Sequence, residues 1–423
     1  MLKRILLVML SVLFAAAAYA QSAPPCPGYS PGKNVNLACE LPTATRTSTA
    51  IVGTGTQTLG SLSPTLATAL SQLPVATAVS GSGLSFSRSL GMSVATNDSL
   101  GSILTQRGET IGKHNFYFSF TYQRFNFDSI DGIDLKNLKT VNTVNYSSGQ
   151  VTYNALDTRV DLRVDQFTGL ASVGLTSRLD FSVIVPFSKV TMASGTANPT
   201  PTGYGTLYIT GPNSAPFIQA QFPVSYPGSA VGIGDIVFNG KGTIYNGERT
   251  KIALGADFRL NTGDETNYLG TGAYGFKPYI VISHRGRKVT PHANFGYQWN
   301  GISSLTVDAN GEHNLPASFE YQGGLDYRAS KKLTIVGEFL GQAVLSAPRV
   351  QLLSAAVPGS PSGSLQTVSP YTGTYAMDNG AVGAKLNPRG GLMITASAMF
   401  KLDNAGLRAR VVPLFGISYR FGR

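Results

Sequence analysis

Charged residues are scarce in this chain, and the few present fall in patterns with chemical meaning. Arg159, Asp161, Arg163 and Asp165 alternate with Val160, Leu162 and Val164. Period two puts all four charges on one face of an extended strand. Lys251, Asp257, Arg259, Glu320, Asp326, Arg328 and Glu338 fall on the polar faces of other alternating segments. Inside a tube, such residues either pair across the interior and hold it together, or line a constriction that selects solutes by charge. Both roles place these residues on a lumen wall, and we expect them to be pore-lining.

Other constellations carry less. Gly270-Thr271-Gly272-Ala273-Tyr274-Gly275 spells GxGxxG but falls in an expected loop rather than between a strand and a helix. Gly240-Lys241-Gly242-Thr243 resembles the tail of a phosphate loop, yet it lies in an alternating strand and lacks the earlier glycine. His114, His284, His292 and His313 show no metal-ligand spacing. His292 shares a face with Thr290 and Asn294, only a faint likeness to a barrel lipase, and a hydrolase needs a nucleophile within hydrogen-bond reach of its base. No enzyme, cofactor or metal is expected. Cys26 and Cys39 are expected to bond to each other as a local structural staple, contributing about 3 kcal/mol in the chain-entropy model.

The elements that would position these residues are strands. Lys3 and Arg4 precede an apolar run, Ile5 to Ala18, that ends in Ala18-Tyr19-Ala20, the pattern of a secretory signal peptide over residues 1–20. Beyond it, no apolar run reaches the roughly 18 residues of a spanning helix. Only 13% of residues are charged, against about 25% in ordinary soluble domains. Low charge without helices points to β-structure facing lipid, and a closed barrel is the β arrangement that pairs every backbone group there. The +11 net charge, in an exported chain, suits anionic lipid or lipopolysaccharide rather than nucleic acid.

Residues 21–112 read as a low-complexity periplasmic arm or a plug, with one helical candidate at Leu59 to Leu73 and a passable hairpin at Leu84 to Val94. From 113 to 423 the chain reads as a closed antiparallel transmembrane β-barrel of about twelve strands, or fourteen with one more hairpin. Asn115 to Phe127 is the clearest strand, with Phe116, Phe118, Phe120 and Tyr122 on one face. The others are expected near 156–173, 178–193, 232–245, 250–262, 274–285, 288–300, 316–328, 332–345, 376–387, 391–403 and 409–421. Short turns alternate with longer segments at 128–155, 194–231, 263–273, 301–315 and 346–375, the layout of bacterial outer-membrane barrels.

With these residues in view, the chain resembles the outer-membrane β-barrel family named for the MetA pathway of phenol degradation. The likeness rests on Val173 to Phe187, on Gly232-Ile233-Gly234-Asp235, on Leu254 to Asp264, and on the turn Leu325 to Leu333. Two departures stand out: Leu260-Asn261-Thr262-Gly263-Asp264 has Asn where the family-like motif has Pro, and the chain ends Phe421-Gly422-Arg423 rather than on an aromatic residue. The resemblance implies a porin-like transporter in the bacterial outer membrane for small solutes, aromatic or hydrophobic ones among them, inserted by the barrel-assembly machinery. The alternative is a non-conducting surface protein displaying the 194–231 and 346–375 loops.

Overall fold

The computed structural model describes residues 36–38, 65–66, 68–70, 73, 84–87, 92–95, 99–145, 151–197, 206–210, 225–308, 311–356 and 363–422. The expected signal peptide, Cys26 and Cys39 lie outside the described residues.

Twelve antiparallel strands close into a barrel. We number them β1 (Asn115–Ile130), β2 (Val151–Gly174), β3 (Leu179–Ala197), β4 (Ser225–Ile233 continued by Val237–Asn246), β5 (Thr250–Arg259), β6 (Gly275–His284), β7 (Val289–Asn300), β8 (Ser318–Arg328), β9 (Leu333–Ala356), β10 (Ser364–Leu386), β11 (Leu392–Lys401) and β12 (Val411–Gly422). Both halves of β4 pair with β3, through Phe187↔Ile233 and Ile184↔Val237, so they form one wall strand interrupted at residues 234–236. Closure comes from β12 against β1, in register from Leu414↔Gln123 to Gly422↔Asn115. Among the described residues the barrel wall then has no open edge for lipid to face, as a spanning β-structure requires. No helix among the described residues is long and apolar enough to cross a membrane.

Large apolar side chains stand on the outer surface because lipid, not protein, is their partner. Phe120 is 65% exposed, Phe415 58% and Leu254 49%. Aromatic rings stack between neighbouring strands there, Phe116 on Phe421 and Phe276 on Trp299. The tight turns, the start of β1 and the end of β12 share one end, the periplasmic end of such barrels.

Several boundaries differ from expectation. Strands β9 and β10 pair from Leu333↔Leu386 out to Ala356↔Ser364, so most of 346–375 is a tall hairpin and not a loop. Its polar alternation hid the strand, since that part stands beyond the apolar band and needs no lipid-facing side. The segment 128–155 likewise contains paired strands, Leu138–Asn145 running against β2. The hairpin near Leu84 exists, Leu84–Ser87 against Met92–Ala95, but as a sheet of its own and not as barrel wall.

Candidate functional site

The lumen is occupied by the chain that precedes the barrel. Residues 99–113 run as an irregular segment, with Gly101 and Gly112 at positive φ. An irregular segment cannot pair its own backbone, and a buried unpaired N–H or C=O is costly. The inner wall therefore supplies the partners. Glu338 on β9 accepts from the backbone N–H groups of Ile103, Leu104 and Thr105 and from Thr105 Oγ1. Lys241 Nζ on β4 donates to the carbonyls of Arg107 and Glu109, and Thr243 Oγ1 to that of Gly108. Lys385 on β10 donates to Ser102 O and Arg420 on β12 to Ile111 O. Asp180 on β3 accepts from Ile111 N.

The segment returns charge of its own. Arg107 is 1% exposed and lies 2.9 Å from Glu109 and 3.5 Å from Asp326 of β8. Burial opposes the charge on Glu109, but the Arg107 guanidinium, a backbone hydrogen bond and Lys251 together outweigh it, so its carboxyl sits below the ordinary carboxylate range. Ser283 Oγ donates to the same carboxylate and receives Gly108 N–H. The entry to the barrel rim is equally tight: a Cβ on Gly174 would overlap the Gly112 carbonyl, and His114 N donates to Gly174 O.

Above this segment the lumen turns apolar. Val160, Leu162 and Val164 of β2, Phe125 and Phe127 of β1, and Leu340 of β9 form a buried cluster that also takes in Leu37, Leu66 and Ala69 from upstream of the barrel. The described residues of 65–70 are helical, within the expected Leu59 to Leu73 helix. Loops close in from the outer end. Asp235, at the break in β4, accepts from Gly263 N, Thr271 N and Thr271 Oγ1, which pins the 263–273 loop inward.

Between the two luminal pieces lies a cavity of about 260 Å³. Leu104 and Gln106 border it on one side, Ala69, Leu70 and Leu73 on the other. One wall is apolar, with Phe125, Leu340, Met399 and Val412; the other is polar, with Asp257, Lys277, Tyr279, Gln298 and Glu320. Lys277 bridges Asp257 at 3.2 Å and Glu320 at 3.1 Å, so both carboxylates on this wall are engaged by one ammonium. Gln166 also borders the cavity, and its Oε1 has no hydrogen-bond partner among the described residues; neither end of its neighbour Gln123 has one.

The expected pore-lining residues divide. Asp257, Arg259 and Glu320 line the cavity, with Arg259 held by Asn300 and Asp235. Asp326 and Glu338 face inward but bind the luminal segment. Lys251 sits half-buried beside Glu109, and Arg328 lies at the periplasmic turn, where it donates to Arg287 O. Arg159, Asp161, Arg163 and Asp165 correct the expectation: they point outward. The unbroken β2–β3 register gives them the parity of Phe167, which is 52% exposed, while Val160, Leu162 and Val164 fill the interior. Alternation separates two faces without naming the inner one, and here the outer lumen is the oily side.

Sequence reasoning missed Thr105, Arg107, Glu109, Lys241, Lys277 and Lys385. The visible signals were an Arg-x-Glu pair in a charge-poor stretch and Lys241 beside Thr243 on a strand face. His292, set aside as a catalytic candidate, is a clamp: its Nε2 lies 2.5 Å from Thr105 Oγ1, whose proton goes to Glu338.

The family described as "Putative MetA-pathway of phenol degradation" matches residues 141–357, just over half the chain. The chain belongs to this family. With the closed barrel, membership makes it a bacterial outer-membrane protein. No curated protein matches the chain. Among solved structures it is similar to the COG4313 outer membrane channel from Pseudomonas putida F1, at 11% identity and TM-score 0.43, over 74% of this chain and 97% of that one. It is also similar to the P. putida toluene transporter TodX, at 11% identity and TM-score 0.32 over 73% and 90%, and to the CymD monoaromatic hydrocarbon channel, at 9% and 0.33 over 74% and 89%. The family match and the barrel carry the assignment; these distant likenesses do not.

Proposed function

We propose that this barrel is a plugged channel for passive passage of small amphipathic molecules, in which residues 99–113 close the periplasmic side and the cavity above them is the solute's resting place. The observation that carries the reading is the two-sided cavity inside a spanning barrel. Cavities of about 150 Å³ already hold benzene, so about 260 Å³ admits a substituted single ring. The apolar wall suits the ring. The amide oxygen of Gln166, without a hydrogen-bond partner among the described residues, and the paired ions opposite suit a hydroxyl better than a full charge, since an anion would meet two carboxylates there and a cation two carboxylates already engaged by Lys277. Phenol, which the family description names, has this chemistry.

Outer-membrane lipid and lipopolysaccharide are the expected neighbours of the outer wall, and the assembly machinery the expected receiver of β12. Liposome swelling with the mature chain tests the channel. Entry of phenol-sized solutes at rates above protein-free vesicles is expected, and a sealed vesicle for every solute sinks the reading. Sealed vesicles would favour a non-conducting surface protein, which the luminal segment and the tall β9–β10 hairpin also suit.

A further inference from the structure

On the outer wall, the side chains change character at one rung shared by β1, β2 and β3. The rung Tyr122–Phe167–Phe187 is aromatic. The next rung outward is Arg124–Asp165–Lys189, and the one beyond it pairs Asn126 and Thr191 with Arg163. Asp165 gathers this group: Arg124 Nε lies 2.6 Å from it, Arg163 Nε 3.3 Å, and Tyr122 OH donates to it at 2.6 Å. The carboxylate thereby sets two guanidinium groups side by side through their Nε edges. Arg124 also lies over the Tyr122 ring, and Arg124, Arg163 and Lys189 are all exposed or half-exposed. Three cations face one anion, so an excess positive charge is held above the oily band.

Directly below the rung, Phe118, Phe120, Phe167, Val185 and Phe187 border an apolar groove on the same outer surface. A ligand for the whole feature has an anionic head over acyl chains. Planar guanidinium forks match phosphate oxygens, and the groove matches a hydrocarbon tail.

We infer that Arg124, Arg163 and Lys189, preorganised by Asp165, form a binding site for the phosphorylated head of an outer-leaflet glycolipid whose acyl chain lies in the groove below. This rests on the outer-membrane placement and not on transport, so a silent channel leaves it standing.

The test is native mass spectrometry of the full-length mature chain in detergent, titrated with diphosphorylated lipid A, with dephosphorylated lipid A and with inorganic phosphate. Each basic residue at a charged lipid surface contributes about fivefold in affinity. The triple variant Arg124→Gln/Arg163→Gln/Lys189→Gln is therefore expected to bind diphosphorylated lipid A about a hundredfold more weakly. Lys189→Gln alone, which breaks no ion pair among the described residues, is expected to lose about fivefold and guards against misfolding of the triple variant. Gel-shift on heating confirms that each barrel is closed. Arg287→Gln, at the opposite end, controls for net charge and is expected to bind as the parent does. Equal binding of dephosphorylated lipid A, parent-like binding by the triple and Lys189→Gln variants, or full competition by inorganic phosphate at matched concentration each overturns the proposal.

Discussion

Glu338 holds Thr105 twice, taking its backbone N–H at 2.9 Å and its hydroxyl at 2.6 Å on the same Oε1 oxygen. The same carboxylate receives Ile103 and Leu104, so one side chain of the wall fixes three consecutive residues of the luminal segment.

Removing that carboxylate should therefore loosen the segment without opening the barrel, because β8–β9 and β9–β10 stay hydrogen-bonded. For Glu338→Ala we expect the segment's docking to weaken by about 2–4 kcal/mol, from donors left buried without an acceptor. Hydrogen exchange at residues 103–105 should rise at least tenfold, and channel openings should become more frequent. Unchanged protection at those amides would show that the packing of Leu104, not the carboxylate, holds the segment.

Arg107 and Asp326 supply a sharper test, since both are shut away from water. Removing Arg107 alone strands two carboxylates, and breaking a buried ion pair from one side costs about 3–5 kcal/mol. Arg107→Met combined with Asp326→Asn should recover much of the loss seen in Arg107→Met. Thermal unfolding of the four proteins forms the cycle, and strictly additive effects would deny the coupling.

What the sequence shows of all this follows the range of the forces involved. Phe116, Phe118 and Phe120 announce a lipid-facing strand because period-two patterning is local, and twelve such segments with alternating short turns fix the barrel. Arg159 to Asp165 alternate as clearly, yet their direction was misjudged: which face is inner depends on what fills the tube, and Leu37 and Leu66 lie about a hundred residues upstream of Val160 and Leu162. The luminal clamp was hidden for the same reason, since Glu338 is 233 residues from Thr105. Asp257, Arg259 and Glu320 reach the cavity because inward parity in β5 and β8 coincides with the polar side.

Glu109 should make the docking of the luminal segment pH-sensitive. Its carboxyl is held below the usual value of 4.5, so the docking strength it contributes is present above that value and is lost as pH falls through the lower, docked value. Openings recorded at about pH 3 should outnumber those at pH 7, and Glu109→Gln should remove most of its share of that difference. An identical pH profile in the variant would assign the response to other carboxylates of the lumen.

The cavity's polar contact should decide between rings with and without a hydroxyl. Gln166 presents an amide oxygen with no partner among the described residues, on the wall that carries Phe125 and Phe127. In Gln166→Leu a phenolic hydroxyl loses its acceptor while a methyl group gains apolar contact. The ratio of phenol to toluene flux in liposomes should therefore fall by about tenfold, the scale of one hydrogen bond exchanged for one apolar contact. If the ratio is unchanged while both fluxes persist, the solute does not pass Gln166, and the path runs along another part of the lumen.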